Sequence, residues 1–137
     1  MTPQHMVEYL TGAVSLSMGL RVVPAPPVAP ALDRMRAFLL SDAPFPPSVR
    51  NPIMAAAPTP LRLPSLVVAV AELQLALDSF FAYNAQLPTT LAVHPLFGAL
   101  NGMEWQVFHF KHFNHHLWQF GLLPASLLPR STTVTSK

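Results

Sequence analysis

No cysteine occurs in the 137 residues of the chain, which excludes disulfides, thiolate metal ligands and a cysteine nucleophile. Any metal centre must therefore be built from His, Asp, Glu or Tyr. Charge is scarce as well. Asp, Glu, Lys and Arg make up 10% of the sequence against 51% apolar residues, far below the charged quarter usual in a soluble domain. A single domain of this length buries a real core, yet so apolar a composition predicts more apolar surface than it can hide. A partner chain, a second copy or a membrane would each cover the excess. The basic residues are scattered from Arg21 to Lys137 and the net charge is only +2, so no electrostatic footprint for nucleic acid is present.

Other signals are missing too. Met1-Thr-Pro-Gln-His5 lacks the basic start of a signal peptide. The most apolar run, Leu63 to Tyr83, reaches bilayer length only by including Glu72, Gln74 and Asp78, and carboxylates at mid-helix are expensive in lipid. It reads as a bundle helix, and a cytoplasmic chain without a membrane partner follows by default. There is no nucleophile elbow and no Gly-rich phosphate loop. Asp33, Asp42 and Asp78 sit in different segments, so no carboxylate pair suggests general acid–base work.

What is present is helical punctuation. Thr2-Pro3 is an N-cap followed by proline at the first helical position. Met6, Leu10, Val14 and Met18 recur at i+4, and Gly19 is a natural stop. Val22 to Pro30 holds four prolines and is expected to be loop. Ala31 to Leu40 makes a short helix with Met35, Phe38 and Leu39 inward and Arg34 and Arg36 outward. Prolines then recur from Ser41 to Pro64, predicting a long crossover held by isolated anchors such as Phe45 and Ile53. Ser65 caps a third helix running to Asn84, with Leu66, Val70, Leu73, Leu77 and Phe80–Phe81 as its apolar stripe. Gln86 to Ala99 is expected to be loop. Asn101-Gly-Met-Glu104 is a capping box, and the helix after it ends at Gly121. The expectation is an all-α domain over residues 1–128, with three long helices, one short one and no strand of consequence. Residues 129–137 lack a core face and are expected to be a disordered tail.

The last helix carries four of the six histidines within eight positions. At 100° per residue, Trp105, His109, His112 and His116 fall within about a 60° sector, and His115 lies to one side. His112 and His116 have the H-x-x-x-H spacing at which two imidazoles on one helix reach one cation. A complete site needs a further ligand from elsewhere. Such pairs also arise as half-buried boundary residues with no metal, and both readings stay open. Trp105 and Trp118 read most simply as core.

His94-Pro-Leu-Phe-Gly98, Glu104-Trp105, Phe108-His-Phe-Lys-His112 and His115-His-Leu-Trp-Gln-Phe-Gly121 together resemble the end of a DinB-like (YfiT-like) protein. Weaker similarity lies in Thr2-Pro-Gln-His-Met-Val-Glu8 and in Phe38-Leu-Leu-Ser-Asp42 through Asn51-Pro52. The resemblance implies an up-down four-helix bundle whose divalent metal (Zn, Ni or Fe) is held by one histidine of the second helix and an H-x-x-x-H pair of the last. By position the pair falls on His112 and His116, whereas Tyr9 stands where the single histidine is expected. His5 lies one turn earlier on the same face and is the expected third ligand, with Tyr9, Trp105 and His109 as site neighbours. The resemblance also implies that the first bundle helix would precede Thr2. An apolar groove would then be completed by a homo-oligomer or a partner helix. Two functions follow as expectations: a divalent-metal protein related to thiol-dependent transferases or isomerases, with His109 as hydrogen-bonding group or proton carrier, or a non-enzymatic bundle acting by association.

Overall fold

The structure, a computed structural model, describes residues 1–45 and 60–122. The element order is α1 (Pro3–Leu16), α2 (Ala31–Leu40), α3 (Leu66–Gln86), β1 (Ala92–His94), β2 (Gly98–Leu100) and α4 (Gly102–Gln119). The expected Ile53 anchor, the Asn51-Pro52 similarity and the 129–137 tail lie outside the described residues.

The helix ends are set by local chemistry. Thr2 accepts from the His5 amide and the His5 side chain reaches back to the Thr2 amide, which closes a capping box on α1. Ser65 accepts from the Val68 amide at the start of α3. Asn101 and Glu104 make the reciprocal pair on α4. Such caps satisfy amides that have no partner within the helix. After α4, Gly121 takes a positive φ of 71°, a backbone conformation glycine adopts without strain.

α1 is the central element. It packs most extensively along α3, meets α4 as well, and contacts β1; α2 packs on α4. Met6, Leu10 and Val14 are buried along α1 as their i+4 spacing predicts. One apolar cluster gathers Val14, Leu16, Leu39, Phe80, Phe97, Leu100, Trp105 and Phe108. A second joins Met6, Val7, Leu10 and Ala69. Burying each large side chain contributes about 1.5–3 kcal/mol. Arg36 and Lys111 join α2 to its surroundings: Arg36 donates to the Ala99 carbonyl and pairs with Glu104, while Lys111 Nζ donates to the Phe38 carbonyl at 3.1 Å. Of the crossover, Phe45 is anchored as expected, stacked on Phe38 and Phe97. At its far end the Glu8 carboxylate accepts from the Arg62 and Leu63 amides.

Two expectations are corrected. The described residues are mostly helical, but Gln86 to Ala99 is not simply loop, because β1 and β2 pair antiparallel with Val93 opposite Ala99. Ala92, His94 and Leu100 face inward and Val93 and Ala99 outward. A two-stranded ribbon is marginal alone. Here it is held against α4, where Trp105 Nε1 donates to the Ala92 carbonyl. The second correction concerns α3. Its buried seam runs through Ala69 and Phe80 with Leu73 and Leu77 half-buried, whereas Leu66, Val70 and Phe81 of the expected stripe are exposed. Val67 and Leu75 are more exposed still, at 79% and 67%. Among the described residues α3 is also the one helix long and apolar enough to cross a membrane.

Candidate functional site

The capped, uninterrupted helix α4 brings Trp105, His109, His112 and His116 onto one face, and all four are buried. His115, on the flank, is buried too. The imidazoles of His112 and His116 approach with their Nε2 atoms 3.1 Å apart. Tyr9 of α1 sits edge-on to both rings, with centroids at 5.2 and 5.4 Å. The pair therefore faces the position where the sequence departs from the resembled pattern, and the residue there touches both imidazoles.

His5 does not join them. Its Nδ1 lies 3.1 Å from the Thr2 amide and 2.7 Å from the Thr2 hydroxyl. One helical turn, about 5.4 Å, separates the level of His5 from that of Tyr9, and the capping box uses the ring there. Among the described residues no three His, Asp or Glu side chains gather closely enough to hold a metal ion. Glu8, on an adjacent face of α1, is committed to the crossover amides.

The other histidines have fixed partners. Ser17 donates to the Val14 carbonyl at 2.5 Å, so it can only accept from His109 Nε2, 3.0 Å away. This puts the His109 proton on Nε2. The His109 ring lies edge-on to Phe80 of α3 at 4.9 Å. His94, in the sequence only one residue of the His94-Pro-Leu-Phe-Gly98 motif, is 1% exposed. Its Nδ1 accepts from the Leu96 amide at 2.9 Å, and its ring packs on Phe108 and Trp105. The sequence carries no signal for this, because alternation through Leu91-Ala-Val-His94 would turn Leu91 and Val93 inward, and both are exposed. Three buried ring nitrogens, His94 Nε2, His109 Nδ1 and His112 Nδ1, have no hydrogen-bond partner among the described residues.

Burial governs the charge state of the whole face. It pushes His109 down to about 3, and burial with the neighbouring His109 pushes His94 to about 3. His116 falls to about 4 through burial and the adjacent His115, against the opposing hydrogen bond to Gln119. His112 is held well below the ordinary histidine range by burial, then by His116, His109, His94 and His115. All four are neutral at pH 7. Neutral imidazole is the form that ligates metals, whereas a proton carrier needs a pKa near the working pH. His109 is a neutral hydrogen-bonding group toward Ser17.

The pair can be tested against a metal geometrically. Two nitrogens at 2.0–2.1 Å from a tetrahedral ion stand roughly 3.3 Å apart, close to the 3.1 Å between His112 and His116. The separation matches two ligands of one ion; the remaining positions would have to come from Tyr9, water or a ligand.

A family model described as a protein of unknown function (DUF1569) matches residues 29–121. The match takes in α2, α3, the hairpin and α4, and with them His94, His109, His112 and His116. No curated protein and no solved structure matches the chain.

Proposed function

The chain belongs to the DUF1569 family, and we propose that within it this protein is a divalent-metal-binding helical domain on DinB-like lines. His112 and His116 are the paired ligands and Tyr9 stands at the third position. The observation that carries this reading is the facing Nε2 pair at 3.1 Å with Tyr9 packed on both rings. Zn, Ni or Fe suit such imidazole donors. A metal bound there would lower the pKa of a coordinated thiol or water, the chemistry of a thiol-dependent transferase or isomerase. The chain's own residues provide the rest: Phe108 stacks on the His112 ring at 4.9 Å, Gln119 orients His116, and the buried face excludes bulk water. Metal analysis of the untagged protein, beside a His112→Ala/His116→Ala double variant, is the test. About one metal per chain, lost in the variant, is expected. Equal and substoichiometric metal in both proteins would sink the reading.

A second reading, a non-enzymatic bundle acting by association, draws on the exposed Val67, Leu75 and Phe81 of α3. A partner helix or a second copy would cover them. Light scattering tests it, and a monomer that binds no hydrophobic dye counts against it. Both readings take the protein as cytoplasmic with neither membrane nor nucleic acid as partner, and solubility without detergent would dismiss the membrane.

A further inference from the structure

We propose that Gln119 is a positioning residue that fixes the proton of His116 on Nδ1, making the two imidazoles unequal partners toward a cation. The inference rests on the metal-site reading above. Gln119 follows His116 by three residues on α4, and its Oε1 lies 3.1 Å from His116 Nδ1. An amide oxygen only accepts, so Nδ1 carries the hydrogen, and a neutral ring then has its one lone pair on Nε2. That lone pair faces His112 Nε2 at 3.1 Å. In the metal-free protein His112 is therefore the donor of the pair, with its proton on Nε2 and its own lone pair on Nδ1.

The consequence is an asymmetry. A ligating histidine is normally oriented by an acceptor behind its other ring nitrogen, and losing that acceptor typically costs 10–100-fold in metal affinity. His116 has such an acceptor in Gln119. His112 has none, because its Nδ1 is buried without a partner among the described residues. For His112 to offer Nε2 to a cation, its proton must move from Nε2 to Nδ1 of the same ring. No charge changes, yet the relocated N–H arrives where no acceptor waits. His116 is thus the anchoring ligand, and His112 the one that must rearrange.

The test reads the tautomer directly in metal-free, 15N-labelled protein at pH 7, through the long-range nitrogen–hydrogen couplings of each ring. In the native chain His116 should show a protonated Nδ1 and a bare Nε2. Gln119→Leu, at an exposed position, should shift His116 toward the Nε2–H form, and Gln119→Glu should restore the Nδ1–H form. A native His116 protonated on Nε2, or a Gln119→Leu protein with an unchanged tautomer, overturns the inference. Zinc titration against a chromophoric chelator supplies the second readout. Gln119→Leu should weaken zinc 10–100-fold, and Gln119→Glu should hold it at least as tightly as the native chain. If zinc binds and Gln119→Leu leaves its affinity unchanged, Gln119 has no positioning role. If the native chain binds no zinc while its tautomers are as described, the metal reading alone fails.

Discussion

Helices α3 and α4 invert the usual relation between chemistry and burial. α4 hides polar groups: His109, Lys111, His112, His115 and His116 are all buried. α3 shows apolar ones: Val67, Val70, Leu75 and Phe81 are exposed while Ala69 and Phe80 are its only buried residues. Burying polar groups costs free energy unless they are paired, and two α4 ring nitrogens, His109 Nδ1 and His112 Nδ1, are unpaired among the described residues. Exposed apolar side chains on one helix cost solvation that a covering surface would recover. The two proposed readings divide along this line, the metal site resting on α4 and the association surface on α3.

Acid should break the α4 side of this comparison most forcefully. His94 and His109 have folded pKa values of about 3 against an unfolded value near 6.5. Above pH 6.5 neither state is protonated and the rings cost nothing. As the pH falls below 6.5 the unfolded chain takes up protons that the fold refuses, so stability drops until about pH 3. At 1.36 kcal/mol per unit, the two together remove roughly 7 kcal/mol by pH 4, comparable to the whole stability of a domain. Urea titrations from pH 7 to pH 4 should show the midpoint collapsing below pH 6; a flat profile would mean the rings are not buried as described.

Truncating the α4 anchor comes next. Trp105 is 1% exposed and hydrogen-bonded to the hairpin, and Trp105→Ala should cost about 3–5 kcal/mol in denaturant unfolding. A loss below 1 kcal/mol would show that the hairpin does not depend on this helix. The smallest effect belongs to α3. Leu75→Gln should change the stability of the monomer by no more than about 0.5 kcal/mol while weakening any self-association seen in sedimentation. A large loss of stability at low protein concentration would show that Leu75 is covered within its own chain.

The sequence carried the helices well because their ends are written in local chemistry. Thr2-Pro3, Ser65 and Asn101 with Glu104 name the starts, and Gly121 names a stop. The α4 face was legible because a period of 3.6 stacks His109, His112 and His116 whatever surrounds them. Periodicity was less informative for α3, where apolar residues go almost all round and only packing on α1 decides that Ala69, not Val70, turns inward. The hairpin was missed because its strands have three residues each and are stabilised by Trp105, a contact thirteen positions away. His94 was missed with it. Ser17 could not be read as the partner of His109 from spacing alone, since 92 positions separate them.

Glu8 links these parts mechanically. Its carboxylate holds the Arg62 and Leu63 amides while Gln4 holds the Leu63 carbonyl, and Arg62 in turn pairs with Glu72 on α3. The next residue along α1 is Tyr9, which touches both imidazoles of the pair. One turn of α1 is thus a fulcrum, with the strap leading into α3 on one side and the histidines on the other. Displacing the strap means breaking three hydrogen bonds next to the residue that packs on both imidazoles. The start of α3 and the Tyr9–histidine contact are therefore tied to the same turn of α1.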